Sequence, residues 1–113
     1  MIATLIQLEL AAKAAGHTTF HGSRTSKGGV HLEDGGKVWE WNPTTSKSDS
    51  FDLMVACGIE PMFHDCAVSA LSGSDFHTDP VYWLDQDKQL ATMWAVFLCA
   101  VEIGKSLANG RAM

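Results

Sequence analysis

Apolar residues fall at three- and four-residue steps in three stretches of the chain. The segments between them alternate in polarity or break at glycine and proline. Thr4-Leu5-Ile6-Gln7 has the spacing of a capping box, and Leu5, Leu8, Ala12 and Ala15 then form one helical stripe that Gly16 stops. The spacing predicts a first helix over 5–15. From His17 to Trp41 the pattern turns to strands. His17 to His21 is rich in β-formers, Val30-His31-Leu32 is a second strand, and Asp34-Gly35-Gly36 reverses the chain into Lys37–Trp41. Trp39 and Trp41 share a face of that strand and are expected to pack against a helix. Asn42-Pro43 closes this meander, because proline has no amide to give the ladder.

A second helix is expected from a cap at Ser48 or Asp49 to about Cys57, with Phe51, Met54 and Val55 as its buried stripe and Gly58 as its stop. Residues 59–64 and 67–71 read as a strand pair turning near His64-Asp65-Cys66. Pro61 there argues for an edge or a bulge. Residues 72–84 show no periodicity and read as a long loop carrying Phe76, Tyr82 and Trp83. The last helix starts among Asp85 to Asp87, with Leu90, Met93, Trp94, Phe97, Val101 and Leu107 as its stripe, and ends at Asn109-Gly110. The order α-β-β-β-α-β-β-α predicts one α+β domain over residues 1–113, an antiparallel sheet of about five short strands sandwiched by helices.

Composition leaves this fold class standing. With 46% hydrophobic and 19% charged residues in 113, the chain is an ordinary globular domain able to hold a core without metal or disulfide staples. Cys57, Cys66 and Cys99 form an odd set without CxxC spacing and sit among apolar or small residues. They are expected as reduced, buried thiols of a cytoplasmic protein. The N-terminal residues lack a basic region followed by an unbroken apolar run, so no signal peptide or membrane association is expected.

Charge changes the picture more. The net charge of −5 argues against a protein whose main role is to bind nucleic acid directly. Between Lys47 and Lys88 there is no Lys or Arg, while eight acids fall there: Asp49, Asp52, Glu60, Asp65, Asp75, Asp79, Asp85 and Asp87. That block carries −8 and the remainder +3. Solvated and helix-capping acids account for part of it. The alternative reading of the same block is an acidic surface that steers toward a basic partner.

Catalytic and metal chemistry find little support in the spacing. His17 and His21, four apart on a strand, lie roughly 13 Å from each other and do not chelate one ion. His64 and Cys66 are the only local pair of base and nucleophile, and no third group is visible. No Walker loop, nucleophile elbow or HExxH motif occurs. The expectation is a non-enzyme with neither cofactor nor metal. Tyr82 and Trp83, outside any periodic element, are either tucked on the core or available to a partner or a nucleobase.

Trp41-Asn42-Pro43-Thr44-Thr45, followed by Asp49 and a helix ending in Cys57-Gly58-Ile59, resembles the phage ABA-sandwich domain family, small bacteriophage and prophage proteins of unknown function. The helix from Leu8 to Gly16 and the closing Ala100-Val101-Glu102-Ile103-Gly104 are similar to that family in the same order, and the resemblance spans the whole chain. The segment 73–89 departs from it, being longer and more aromatic. The resemblance implies a helix–sheet–helix sandwich and a phage origin, and it implies no catalytic residue. The shared turn has its own physical reading: Asn42 makes a side-chain turn bond, Pro43 fixes φ, and Trp41 anchors the turn to the core.

Together these readings point to a phage accessory protein in the host cell cytoplasm that binds and inhibits a host protein. Its most concrete form is a counter-defence inhibitor of the anti-CRISPR kind, docking an acidic surface on a nucleic-acid-handling complex. Glu60, Asp65, Asp75, Asp79, Tyr82 and Trp83 are the candidate contact residues. One alternative is a sponge for a nucleotide signal, its charge supplied by Arg24, Lys27 and Lys37 because the aromatic loop has no cation. Another is a virion component. A homodimer through the edge marked by Pro61 is a further possibility.

Overall fold

The computed structural model describes residues 2–19, 25, 28–73, 75–83 and 87–109. His21, Arg24, Lys27, Asp85 and Gly110, named above, lie outside the described residues. Helix α1 (Leu5–Ala14) starts at the expected capping box: the Gln7 amide donates to Thr4 Oγ1 at 3.1 Å and the Thr4 amide to Gln7 Oε1 at 3.0 Å. Gly16, at φ 81°, lets the His17 amide reach back to the Ala12 carbonyl and end the helix.

Strands β1 (Thr18–Thr19), β2 (Val30–Asp34) and β3 (Lys37–Trp41) form a three-stranded antiparallel sheet in that order. Asp34 pairs with Lys37 across Gly35 and Gly36, whose φ values of 58° and 86° make the two-residue turn that suits strand twist. Val30, Leu32, Trp39 and Trp41 share the face toward the core. Trp41 is buried there, but Trp39 stays 38% exposed at the rim, contrary to the expectation that both pack inside. His17 meets both indoles edge-on, at centroid distances of 6.4 and 5.9 Å.

The turn out of β3 holds two elements together. Asn42 Oδ1 accepts from the Thr44 amide at 3.0 Å and the Thr44 hydroxyl at 2.6 Å, and Pro43 is fully buried. The Asn42 amide donates to the Asp49 carboxylate at 2.9 Å, tying β3 to helix α2 (Lys47–Cys57). The cap of α2 is Ser46, which accepts from the Asp49 amide; neither Ser48 nor Asp49 caps it. Asp49 is the N3 residue, and its carboxylate serves the turn instead. Gly58 ends α2 in the left-handed conformation, as expected.

The single sheet expected is two sheets. In the second, β5 (Ala67–Ser72) is central, with β4 (Glu60–Phe63) on one side and two short strands, β6 (Phe76–His77) and β7 (Val81–Tyr82), sharing the other. Residues 76–78 and 81–83 of the expected loop are therefore stapled to the sheet. Thr78 fills the gap between β6 and β7: its amide donates to the Ala70 carbonyl and its Oγ1 accepts from the Ala70 amide, both at 2.9 Å. Two-residue strands carry no periodicity of their own, so their pairing with β5 had no signal in the pattern. Pro61 lies on the outer strand, as its missing amide requires.

Helix α3 (Lys88–Ala108), capped by Asp87, packs against α1, α2 and β5. It is long and apolar enough to cross a membrane by length and composition, but 12 of its residues are buried within the fold. Its burial runs nearly all round rather than along one stripe, and Leu90 of the expected stripe is exposed. Gly104 lets the α1 backbone approach: a Cβ there would lie 2.6 Å from the Leu10 carbonyl carbon. The α+β class holds and the order roughly matches, with β6 and β7 added before the last helix and α3 rather than a sheet at the centre.

Cys99 is buried in this core, while Cys57 and Cys66 are half-buried. Burial pushes both Cys57 and Cys99 up to about 11, Cys99 aided by the neighbouring Cys57 and Glu102. Below pH 9 the thiols are protonated whether the chain is folded or not. Between pH 9 and 11 the unfolded thiols ionise first, so stability is expected to fall with rising pH through that window. Urea midpoints from pH 8.5 to 11 check this, because the double variant C57A/C99A loses less stability across that range than the wild type.

Candidate functional surface

The expected contact residues lie around the perimeter of the second sheet. Asp65 is exposed in the β4–β5 turn, and Tyr82, opposite Ala67, is 58% exposed on β7 at the same end. Trp83 is near them, its amide donating to the Cys66 carbonyl, and its ring is packed partly on the core. Asp75 and Asp79 are exposed beside β6, where with Glu102 of α3 they line two shallow depressions that share His77. Glu60 lies on β4 opposite Leu71, which in turn faces His77 on the other side. The run from Ala67 to Leu71 spans roughly 13 Å. The acids thus form groups at two ends of the sheet rather than one continuous patch.

His64 Nε2 lies 3.1 Å from Ser69 Oγ, and its amide donates to the Ala67 carbonyl, both contacts within the strand pair. No group of three or more His, Cys, Asp or Glu side chains able to share a metal ion occurs among the described residues.

A different surface stands out. Helix α2 carries two apolar stripes. Ser50, Leu53 and Cys57 face inward, with Leu53 1% exposed. Phe51 and Val55, expected in the core, face outward and are 61% and 63% exposed. The helix carries an apolar residue on both sides, and the periodicity alone does not say which side the tertiary fold covers. Beside Phe51 an open groove of about 330 Å³ runs between α2, β4 and α3, floored by Met54, Phe63, Met93 and Val96. Phe63 is itself more than half exposed.

Lys47 and Lys88 line the same groove. Each is the first residue of its helix, so each adds an ammonium to the positive end of a helix dipole. The Lys88 ammonium lies 5.0 Å from the Phe63 ring centre and 5.2 Å from that of Trp83, within cation–π range of both. These two lysines bound the cation-free stretch of the sequence. The fold brings both ends of that acidic segment to one apolar groove and supplies the aromatic segment with a cation it lacks in sequence. Adding up apolar positions on both sides of α2 is the one sequence signal that points here.

Comparison with protein-family models, with curated proteins and with solved structures finds nothing that matches this chain.

Proposed function

We propose that this protein is a binding protein without an enzymatic role, which docks a partner protein on the face made by α2, β4 and α3. The observation that carries the reading is the outward stripe of Phe51 and Val55 beside the groove, continued by Phe63. Clustered exposed aromatic and aliphatic side chains of this kind mark interaction sites more often than isolated ones do. The setting we propose is the one the sequence resemblance implies: a phage-encoded protein acting on a host protein in the host cytoplasm, with a counter-defence role as its most concrete form.

A second reading keeps the acidic residues as the contact. Its support is that Glu60, Asp65, Asp75 and Asp79 are all solvent-exposed, so a basic partner surface can reach them. The sponge for a nucleotide signal gains the Lys88–Trp83 pair, but the groove beside it is lined almost wholly by carbon.

Affinity capture from host lysate separates the first two readings, using wild type, F51S/V55S and D75K/D79K. The expected result is that F51S/V55S loses at least tenfold of the specifically retained protein, since each buried large apolar side chain contributes about 1.5–3 kcal/mol. Its melting temperature should stay within a few degrees of wild type, because neither residue contributes to the core. Loss in D75K/D79K instead moves the contact to the acidic edge. Retention unchanged in both variants overturns the docking reading.

A further inference from the structure

We propose that the α2–β4–α3 groove takes an amphipathic helical segment of a partner protein whose apolar face is flanked by Asp or Glu, an inference that rests on the docking reading above and names its chemistry. Three features of the groove select that occupant. The floor is carbon, with Phe51, Met54, Phe63, Met93 and Val96 presenting an apolar surface between two helices and a strand, which the apolar face of a third helix covers with residues spaced i, i+3/i+4 and i+7. The lining also carries positive charge from Lys47 and Lys88, the initial residues of α2 and α3. Asp87 already caps α3 and Asp49 lies in the first turn of α2, so what an arriving carboxylate meets in the groove is the two ammonium groups themselves. The chain as a whole is acidic, with a net charge of −5, and the two groove lysines stand out against it. That contrast selects for an acidic ligand in orientation as well as in sign.

A second copy of this chain fits less well. A two-fold contact through the groove brings Lys47 and Lys88 of both copies to one seam, and like charges at an isologous contact repel. A basic amphipathic segment would meet the same two ammonium groups.

The test is selection of a random 16-residue peptide library on the immobilised full chain, followed by anisotropy titration of the enriched peptides. The expected outcome is enrichment of peptides with apolar residues at helical spacing and an excess of Asp and Glu. Their affinity should drop at least tenfold for K47E/K88E and for F51S, and weaken as salt rises from 50 to 300 mM. The pair of variants separates charge from apolar contact, and unchanged melting temperatures show that both remain folded. Enriched peptides that are neutral or basic overturn the inference, as do peptides that bind F51S as well as wild type, or no enrichment at all. Light scattering that shows a dimer abolished by F51S overturns it in favour of a second copy. Displacement of a groove-bound probe by dodecanoate but by no peptide overturns it in favour of a small amphiphile. If the lysate capture above still depends on Phe51 while the selected peptides are not acidic, docking stands and only the partner's chemistry is wrong.

Discussion

Replacing Gly104 with alanine is expected to destabilise the protein by about 2–4 kcal/mol, although the same change in an exposed helix interior stabilises by about 1 kcal/mol. The sign is decided by α1. Leu8, Ala11 and Ala12 of that helix are fully buried, and Gly104 of α3 faces the Leu10 backbone. An added methyl overlaps the Leu10 carbonyl, which is main chain and has no rotamer to give. Relief requires α1 to move off α3, and that opens the contact made by the alanines beside it. For a domain near this size each kcal/mol shifts Tm by roughly 4–8 °C, so a fall of about 8–32 °C is expected by thermal denaturation. A rise in Tm would mean that α1 slides at little cost.

Asn42→Ala is expected to cost about 2–4 kcal/mol, for a different reason. The side-chain oxygen of Asn42 is the acceptor for both the amide and the hydroxyl of Thr44, and Asn42, Pro43 and Thr44 are all buried. Removing it strands two buried donors, each costing about 1–3 kcal/mol when left without a partner, with some recovery as the hydroxyl turns away. Asn42→Asp keeps an acceptor at that place and should cost clearly less. Equal losses in the two variants would show that the amide nitrogen, not the oxygen, matters. A loss under about 0.5 kcal/mol in Asn42→Ala would show that the turn does not hold β3 to α2. Asp49 takes the Asn42 amide from the other side. The turn therefore serves both as the end of the first sheet and as the start of α2, two links that a single residue joins.

Elements with local causes were legible in the sequence. The box of Thr4 and Gln7, the glycines that end α1 and α2, the Gly35-Gly36 reversal and the side-chain bond of Asn42 all act over separations of five residues or fewer. The helix-ending glycines reach furthest, returning an amide to a carbonyl five residues back, and the geometry of all of them follows from backbone and hydrogen-bond preferences that the residues carry with them. The two-residue strands β6 and β7 were not legible, because their only reason to be strands is the free edge of β5, whose residues precede them. Division of the strands into two sheets was equally hidden, since α3 fills the centre between elements far apart in sequence.

The candidate surface divides along the same line. Sequence alone determined that α2 has an apolar stripe of Phe51, Met54 and Val55, and that no cation falls between Lys47 and Lys88. Which side of α2 turns inward was decided by packing against α3, where Leu53 fits the core and Phe51 does not. Only the tertiary structure could bring two lysines 41 residues apart to one groove, because neither helix start encodes the position of the other. The amphipathic pattern fixes how many faces a helix can bury; the neighbours that the chain supplies fix which of them is left for a partner.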